Sequence, residues 1–157
     1  MMRGKQAKKR KLETDAVYNS ILVTKFINYI MQDGKKSVAR KHVYGALDKL
    51  AVATKMDALE ALKKAINNIK PKMEVRSRRL GGANYQVPIP VEEDRQLALA
   101  FRWIIAVCRD NRGSLTFTDR LTTELIAAFK KEGDAYKKRE DTHKMADANK
   151  AFSHLNW

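Results

Sequence analysis

Arginines and lysines dominate the side chains that could do chemistry. Arg76, Arg78 and Arg79 crowd one short segment, with Lys70 and Lys72 at its base. A planar guanidinium donates hydrogen bonds in pairs, which suits phosphate oxygens. Tyr85, just beyond, carries a ring able to stack on an unpaired base or to pack inward. Arg95, Arg102 and Arg109 lie seven residues apart. At about 100° per residue they drift only ~20° per step and form a stripe opposite the apolar helix face. That stripe reads as an outward phosphate rail, the alternative being a solvated charged face. Further cations gather in Lys5, Lys8, Lys9, Arg10 and Lys11, in Lys35 and Lys36, and in Lys137, Lys138, Arg139 and Lys144. Patches spread over so many segments suit a folded RNA, whose backbone approaches from several directions. A regular duplex calls instead for one reading helix.

Catalytic and metal-binding patterns fail one by one. Gly34-Lys35-Lys36-Ser37 resembles the end of a phosphate-binding P-loop, but Tyr29 stands where its first glycine belongs. Lys36, not Ser or Thr, follows Lys35. His42, His143 and His154 lack the pairing of a helical zinc site, and one cysteine cannot build a zinc knuckle. Cys108 falls on an apolar stripe and reads as packing. Glu140 and His143 are spaced as an acid–base pair. Flanked by cations, with no second constellation in view, they read as a surface ion pair. The expectation is a non-enzyme without metal or cofactor.

The elements that must hold these cations belong to a chain of 157 residues, enough for one domain with its own core. Hydrophobic residues make up 44%, against both a disordered tail and a membrane protein. No run of about eighteen apolar residues occurs, so no membrane contact is expected. Thirty-two Lys and Arg against 18 Asp and Glu leave +14, with a pI near 10.0, which points to a polyanionic partner. The lone cysteine fits a reducing compartment. The basic start is followed by Leu12-Glu13-Thr14-Asp15 rather than an apolar run, which argues against a secretory signal. Lys8-Lys9-Arg10-Lys11 is read as phosphate-binding before it is read as a nuclear address.

Residues 1–18 carry six Lys or Arg, little apolar content and no periodicity, and read as a basic arm, solvated unless something acidic orders it. A helix spans Ser20 to Met31 through Leu22, Val23, Phe26, Ile27 and Ile30, stopped by Asp33-Gly34. A second carries Val38, His42, Val43, Tyr44, Leu47 and Leu50. Asp57 with Glu60 caps a third bearing Leu59, Leu62, Ile66 and Ile69, ended by Pro71. The period then falls to two over residues 72–91, around Gly81-Gly82-Ala83-Asn84, which makes a β-hairpin. Pro88 and Pro90 place their missing N–H groups along one outer edge. Such a ribbon needs support from the helices or from a partner.

A fourth helix starts at Glu92-Glu93-Asp94 and buries Leu97, Phe101, Ile104 and Cys108. A fifth carries Phe117, Leu121, Leu125 and Ala128 and closes at Gly133. A sixth, capped by Asp134, has a thin apolar face of Ala135, Met145, Ala146 and Phe152 and reads as peripheral. The fold class is therefore mainly α: one bundle of about six helices over residues 19–150, with a projecting two-stranded β-hairpin between the third and fourth. Residues 151–157 read as a C-terminal tail.

The hairpin segment, Ile69 through Arg76-Ser77-Arg78-Arg79-Leu80-Gly81-Gly82-Ala83-Asn84-Tyr85-Gln86-Val87-Pro88, closely resembles that of the small-subunit ribosomal protein seven family, bacterial type. The resemblance extends through Ala98-Leu99-Ala100-Phe101-Arg102-Trp103, the turn from Met31 to Ser37, and the stretch from Lys137 to Ala146. It implies a structural protein that binds the 3′ major domain of small-subunit (16S) rRNA and nucleates assembly of the subunit head. It also implies a hairpin tip, Gly81, Gly82, Ala83, Asn84 and Tyr85, near the exit-site tRNA and the mRNA path. Small-subunit proteins nine and eleven would be neighbours, in a cytoplasmic or organellar ribosome. By position, Lys35, Lys36, Arg76, Arg78, Arg79, Arg102, Lys137, Lys138, Arg139 and Lys144 match the family's contacts. Glu92-Glu93-Asp94 depart from it, standing where relatives often carry arginines. The arm keeps the basic character but not the residue order. Two further readings stay open at this point: a DNA-architectural protein clasping a groove with its ribbon, and an RNA-processing enzyme using Glu140 and His143.

Overall fold

Apolar residues at helical spacing in α3 (Ala58–Ile69) produce a continuous buried face of Ala61, Leu62, Ala65, Ile66 and Ile69. Around it pack α2 (Lys36–Thr54), α4 (Glu93–Asp110) and α5 (Phe117–Phe129), and α1 (Ile21–Ile30) packs on α2 and α4. α6 (Asp134–Ala148) follows, and then a terminal 3₁₀ helix, Lys150–Leu155. The computed structural model describes residues 10–110 and 113–155, so the arm cations Lys5, Lys8 and Lys9 lie outside the described residues. Phe26, Leu47, Leu50, Phe101, Ile104, Leu121 and Leu125 complete the core, each fully buried. Burial of such a side chain contributes about 1.5–3 kcal/mol. Phe26 and Phe101 join α1 to α4, their ring centroids 4.9 Å apart. Cys108 is buried among these residues, and burial pushes its thiol up to about 12, so it is inert packing.

Between α3 and α4 stands the hairpin, β1 (Met73–Leu80) paired antiparallel with β2 (Ala83–Pro90). Its Gly-rich turn narrows to two residues, Gly81 and Gly82, at φ +55° and +91°. Two consecutive positive φ values suit glycine and match the strand twist. Leu80 opposite Ala83 closes the turn, so Val75↔Pro88 and Met73↔Pro90 fall at non-hydrogen-bonded positions. Both prolines thus sit on the outer edge, as their spacing predicts. The ribbon does lean on the helices: β1 packs on α6, and β2 on the 3₁₀ helix.

Several local expectations shift. α1 ends at Ile30 with Met31 extended, three residues before Gly34; Asp33 (φ +52°) and Gly34 (φ +71°) form the following turn instead. Val38 is 51% exposed, because the buried stripe of α2 runs through Ala39, Val43, Ala46, Leu47 and Leu50. α5 closes before Gly133. The Lys131 amide donates to Ala128 and the Glu132 amide to Ala127, with Lys131 itself at φ +65°. Asp134 does not cap α6. That position belongs to Gly133, and the Glu124 carboxylate, reaching across from α5, accepts the Ala135 N–H at 2.8 Å. A Cβ at Gly133 would lie 3.0 Å from the Glu124 Oε1 and the Ala127 Cβ, so this close approach needs glycine. Met145, placed on the buried face of α6, is 54% exposed.

Candidate nucleic-acid interface

The ribbon presents its cations unequally. Arg79 and Arg76 are exposed and Arg78 is half-buried. Glu74, nearly buried on β1, receives the Arg95 Nε at 2.8 Å to each carboxylate oxygen and the Arg76 Nε at 3.0 Å. Burial pushes the Glu74 carboxyl up, but the two guanidiniums outweigh it and hold the group below its ordinary value. At the tip, Gly81, Gly82, Ala83 and Asn84 are exposed, with nothing near the open sides of the glycines. Tyr85 packs its ring against Phe152 of the 3₁₀ helix, centroids 5.4 Å apart, the inward alternative of the two foreseen. At the ribbon base, the Lys72 N–H donates to His143 Nε2 at 2.9 Å. Burial, then Arg139 and Lys72, hold His143 below its ordinary pKa, so it stays neutral. The expected Glu140–His143 ion pair is therefore replaced by a backbone tether.

The arginine stripe of α4 divides. Arg102 points outward and is exposed. Arg95 is drawn to the ribbon by Glu74, and Arg109 spends one Nη2 hydrogen bond, 3.1 Å, on the Ile30 carbonyl. A wheel of one helix does not show what stands beside it, so the outward rail holds for Arg102 alone. Arg109 remains exposed, and it lines a groove of about 430 Å³ with Gln32, Lys35, Val38 and His42. Two patches that the sequence separates by more than seventy residues, the Lys35 turn and the end of α4, thus meet. Beside it a second groove is lined by Ser37, Arg40, Lys41 and Thr118.

On α6, Lys137, Lys138 and Lys144 are exposed. Arg139 is half-buried: its Nη1 donates to the Asn68 carbonyl at 3.1 Å and its guanidinium lies 5.1 Å over the Tyr136 ring. It pins α6 to α3 rather than facing solvent. Arg10, Lys11, Lys36 and Lys72 are exposed at other points of the surface. These exposed cations therefore stand on a turn, on α2, α4 and α6, on the projecting ribbon and at the arm root. Among the described residues no helix is long and apolar enough to cross a membrane.

The family described as ribosomal protein S7p/S5e matches residues 2–150. The chain belongs to this family. The small ribosomal subunit protein uS7 of Kosmotoga olearia is 54% identical over 156 residues, covering 99% of this chain and all of that one. Its counterpart from Rhodospirillum centenum is 52% identical over 157 residues, with both chains fully covered. The Thermotoga maritima protein is 49% identical over 156 residues, again 99% of this chain and all of the other.

The sequence reading missed Arg40 and Lys41, exposed on the first turns of α2. Their signal was present: Arg40 follows Lys36 by four residues and shares its helix face. Glu74 and Glu124 were also missed, since a single acid gives no hint in the sequence of its burial or its partner.

Proposed function

We propose that this chain is a structural, non-catalytic constituent of the cytoplasmic small ribosomal subunit. In this role it binds the 3′ major domain of 16S rRNA and nucleates assembly of the subunit head. One observation carries the reading within the family: Lys35 and Arg109, from separate elements, line one groove, with Asp33 beside Lys35, while other exposed cations stand on the ribbon and α6. Such a surface fits an RNA backbone that turns around the protein. The rRNA-binding set is then Arg10, Lys11, Lys35, Lys36, Arg40, Lys41, Lys72, Arg76, Arg78, Arg79, Arg102, Arg109, Lys137, Lys138 and Lys144, with the arm residues Lys5, Lys8 and Lys9. Arg95 and Arg139 hold the scaffold together. The exposed tip at Gly81–Asn84 is suited to the subunit interface near exit-site tRNA and the mRNA path. Small-subunit proteins nine and eleven are the proposed protein neighbours.

Lys35, Lys36 and Arg40 are exposed and outside the core, so reversing them to Glu leaves the bundle intact. Three lost phosphate contacts should flatten the log–log salt slope of binding to the 3′ major domain by about 2 to 3. A triple variant with native helical content that binds like the parent removes the Lys35 turn and the start of α2 from the interface. Sedimentation with small subunits tests the larger statement: the protein should travel with them, and protein that stays at the top of the gradient opposes the reading.

A further inference from the structure

Asp15 is buried although its neighbours Thr14 and Ala16 are exposed. A buried carboxylate is costly unless its oxygens are satisfied, and here they are. Tyr44 Oη lies 2.8 and 2.9 Å from the two oxygens, and the Val17 and Tyr18 N–H groups donate to Oδ2 at 3.1 and 3.2 Å. Tyr18 in turn donates to Asp48 at 3.1 Å, and its ring meets that of Tyr44 edge-on at 5.7 Å. None of these bonds serves a helix end: α1 starts at Ile21 with no side-chain cap. The carboxylate instead fastens the chain ahead of α1 to α2. Upstream, Leu12 and Arg10 line the groove between α1 and α4 together with Tyr29, Phe101 and Asp94. The root of the basic arm is thus held at the clasp and led along one groove.

We propose that the Asp15 clasp sets where the basic arm leaves the bundle, making Asp15, Tyr18 and Tyr44 positioning residues for the arm's phosphate contacts. The inference rests on reading the arm as an RNA-binding element. Releasing the clasp moves the anchor from Asp15 to the start of α1, which doubles the tether to Lys9 from six residues to twelve. Effective concentration falls as about the −3/2 power of tether length, so affinity should drop about threefold. The number of phosphates contacted, and with it the salt slope, stays the same.

The test is a cycle in the full-length protein, with a transcript of the 16S 3′ major domain as probe. One arm of it is Tyr44→Phe, with Asp15→Asn as second variant; the other changes Lys5, Lys8, Lys9, Arg10 and Lys11 to Gln. The inference requires about threefold weaker binding at unchanged salt slope when the arm is charged, and no effect of the clasp variants when it is neutral. Equal weakening in both backgrounds means the clasp only supports the bundle, and overturns it. No weakening by the clasp variants, where neutralising the arm does weaken binding, also overturns it while leaving the arm reading in place. A neutral-arm protein that binds like the parent overturns the arm reading and the inference together.

Discussion

Replacing Glu74 by Ala tests whether Arg95 belongs to the scaffold or to the RNA. The Glu74 side chain is 9% exposed, and the Arg95 Nη2 lies 2.8 Å from its Oε2 in addition to the Nε contacts. A hydrogen bond to a charged group contributes about 1.5–3 kcal/mol. The Arg95 side chain is 42% exposed, so water replaces part of the lost contact and a loss of about 2 kcal/mol is expected. The exposed Arg76 adds little. For a chain of this size the melting temperature should fall by about 4–8 °C. Because the pair joins β1 to α4, amide exchange in β1 should also quicken, by about 30-fold if opening is local. The acid limb supplies a further check. A carboxyl held below its ordinary 4.5 contributes fully above that pH, and the contribution is lost as the pH falls through the lowered value. The parent protein should show this limb in melts below pH 4.5, and Glu74→Ala should lack it. A variant with unchanged melting and unchanged β1 exchange would refute the reasoning and return Arg95 to the phosphate-binding set.

The tether at the ribbon base has its own pH dependence. His143 is held below 6.5, so its stabilisation is complete above that value and wanes as acid protonates the ring. Exchange protection of the Lys72 amide should therefore drop between pH 7 and pH 5 after correction for intrinsic rate, and His143→Phe should remove it at all pH; a pH-independent protection factor contradicts the tether. Lys131→Gly relieves a left-handed lysine at the end of α5 and should raise stability by about 0.5–1 kcal/mol in a denaturant titration, whereas a loss of stability would show that the lysine is not strained there.

Long, strongly periodic elements were legible because their signal is internal. The faces of α3 and α4, the Asp57 cap, which accepts from the Leu59 and Glu60 amides, and the proline edge of β2 all follow from neighbours in sequence. What a partner distant in sequence decides was not legible. Arg139 looks like one more cation of a basic helix, yet the Asn68 carbonyl, on α3, holds it. Arg95 and Arg109 share a stripe with Arg102 but meet Glu74 and the Ile30 carbonyl. Gly133 resembled the end of α5, although its conformation serves the approach of Glu124 to α6. The same blindness hid a gain, since only folding brings Lys35 and Arg109 to one groove.

Display of positive charge on several separate faces for one folded RNA is the central claim, and the salt dependence of binding to the 16S 3′ major domain measures it most directly. Six or more phosphates neutralised together predict a log–log slope of about −4 or steeper. A slope near zero between low and moderate salt would contradict the account.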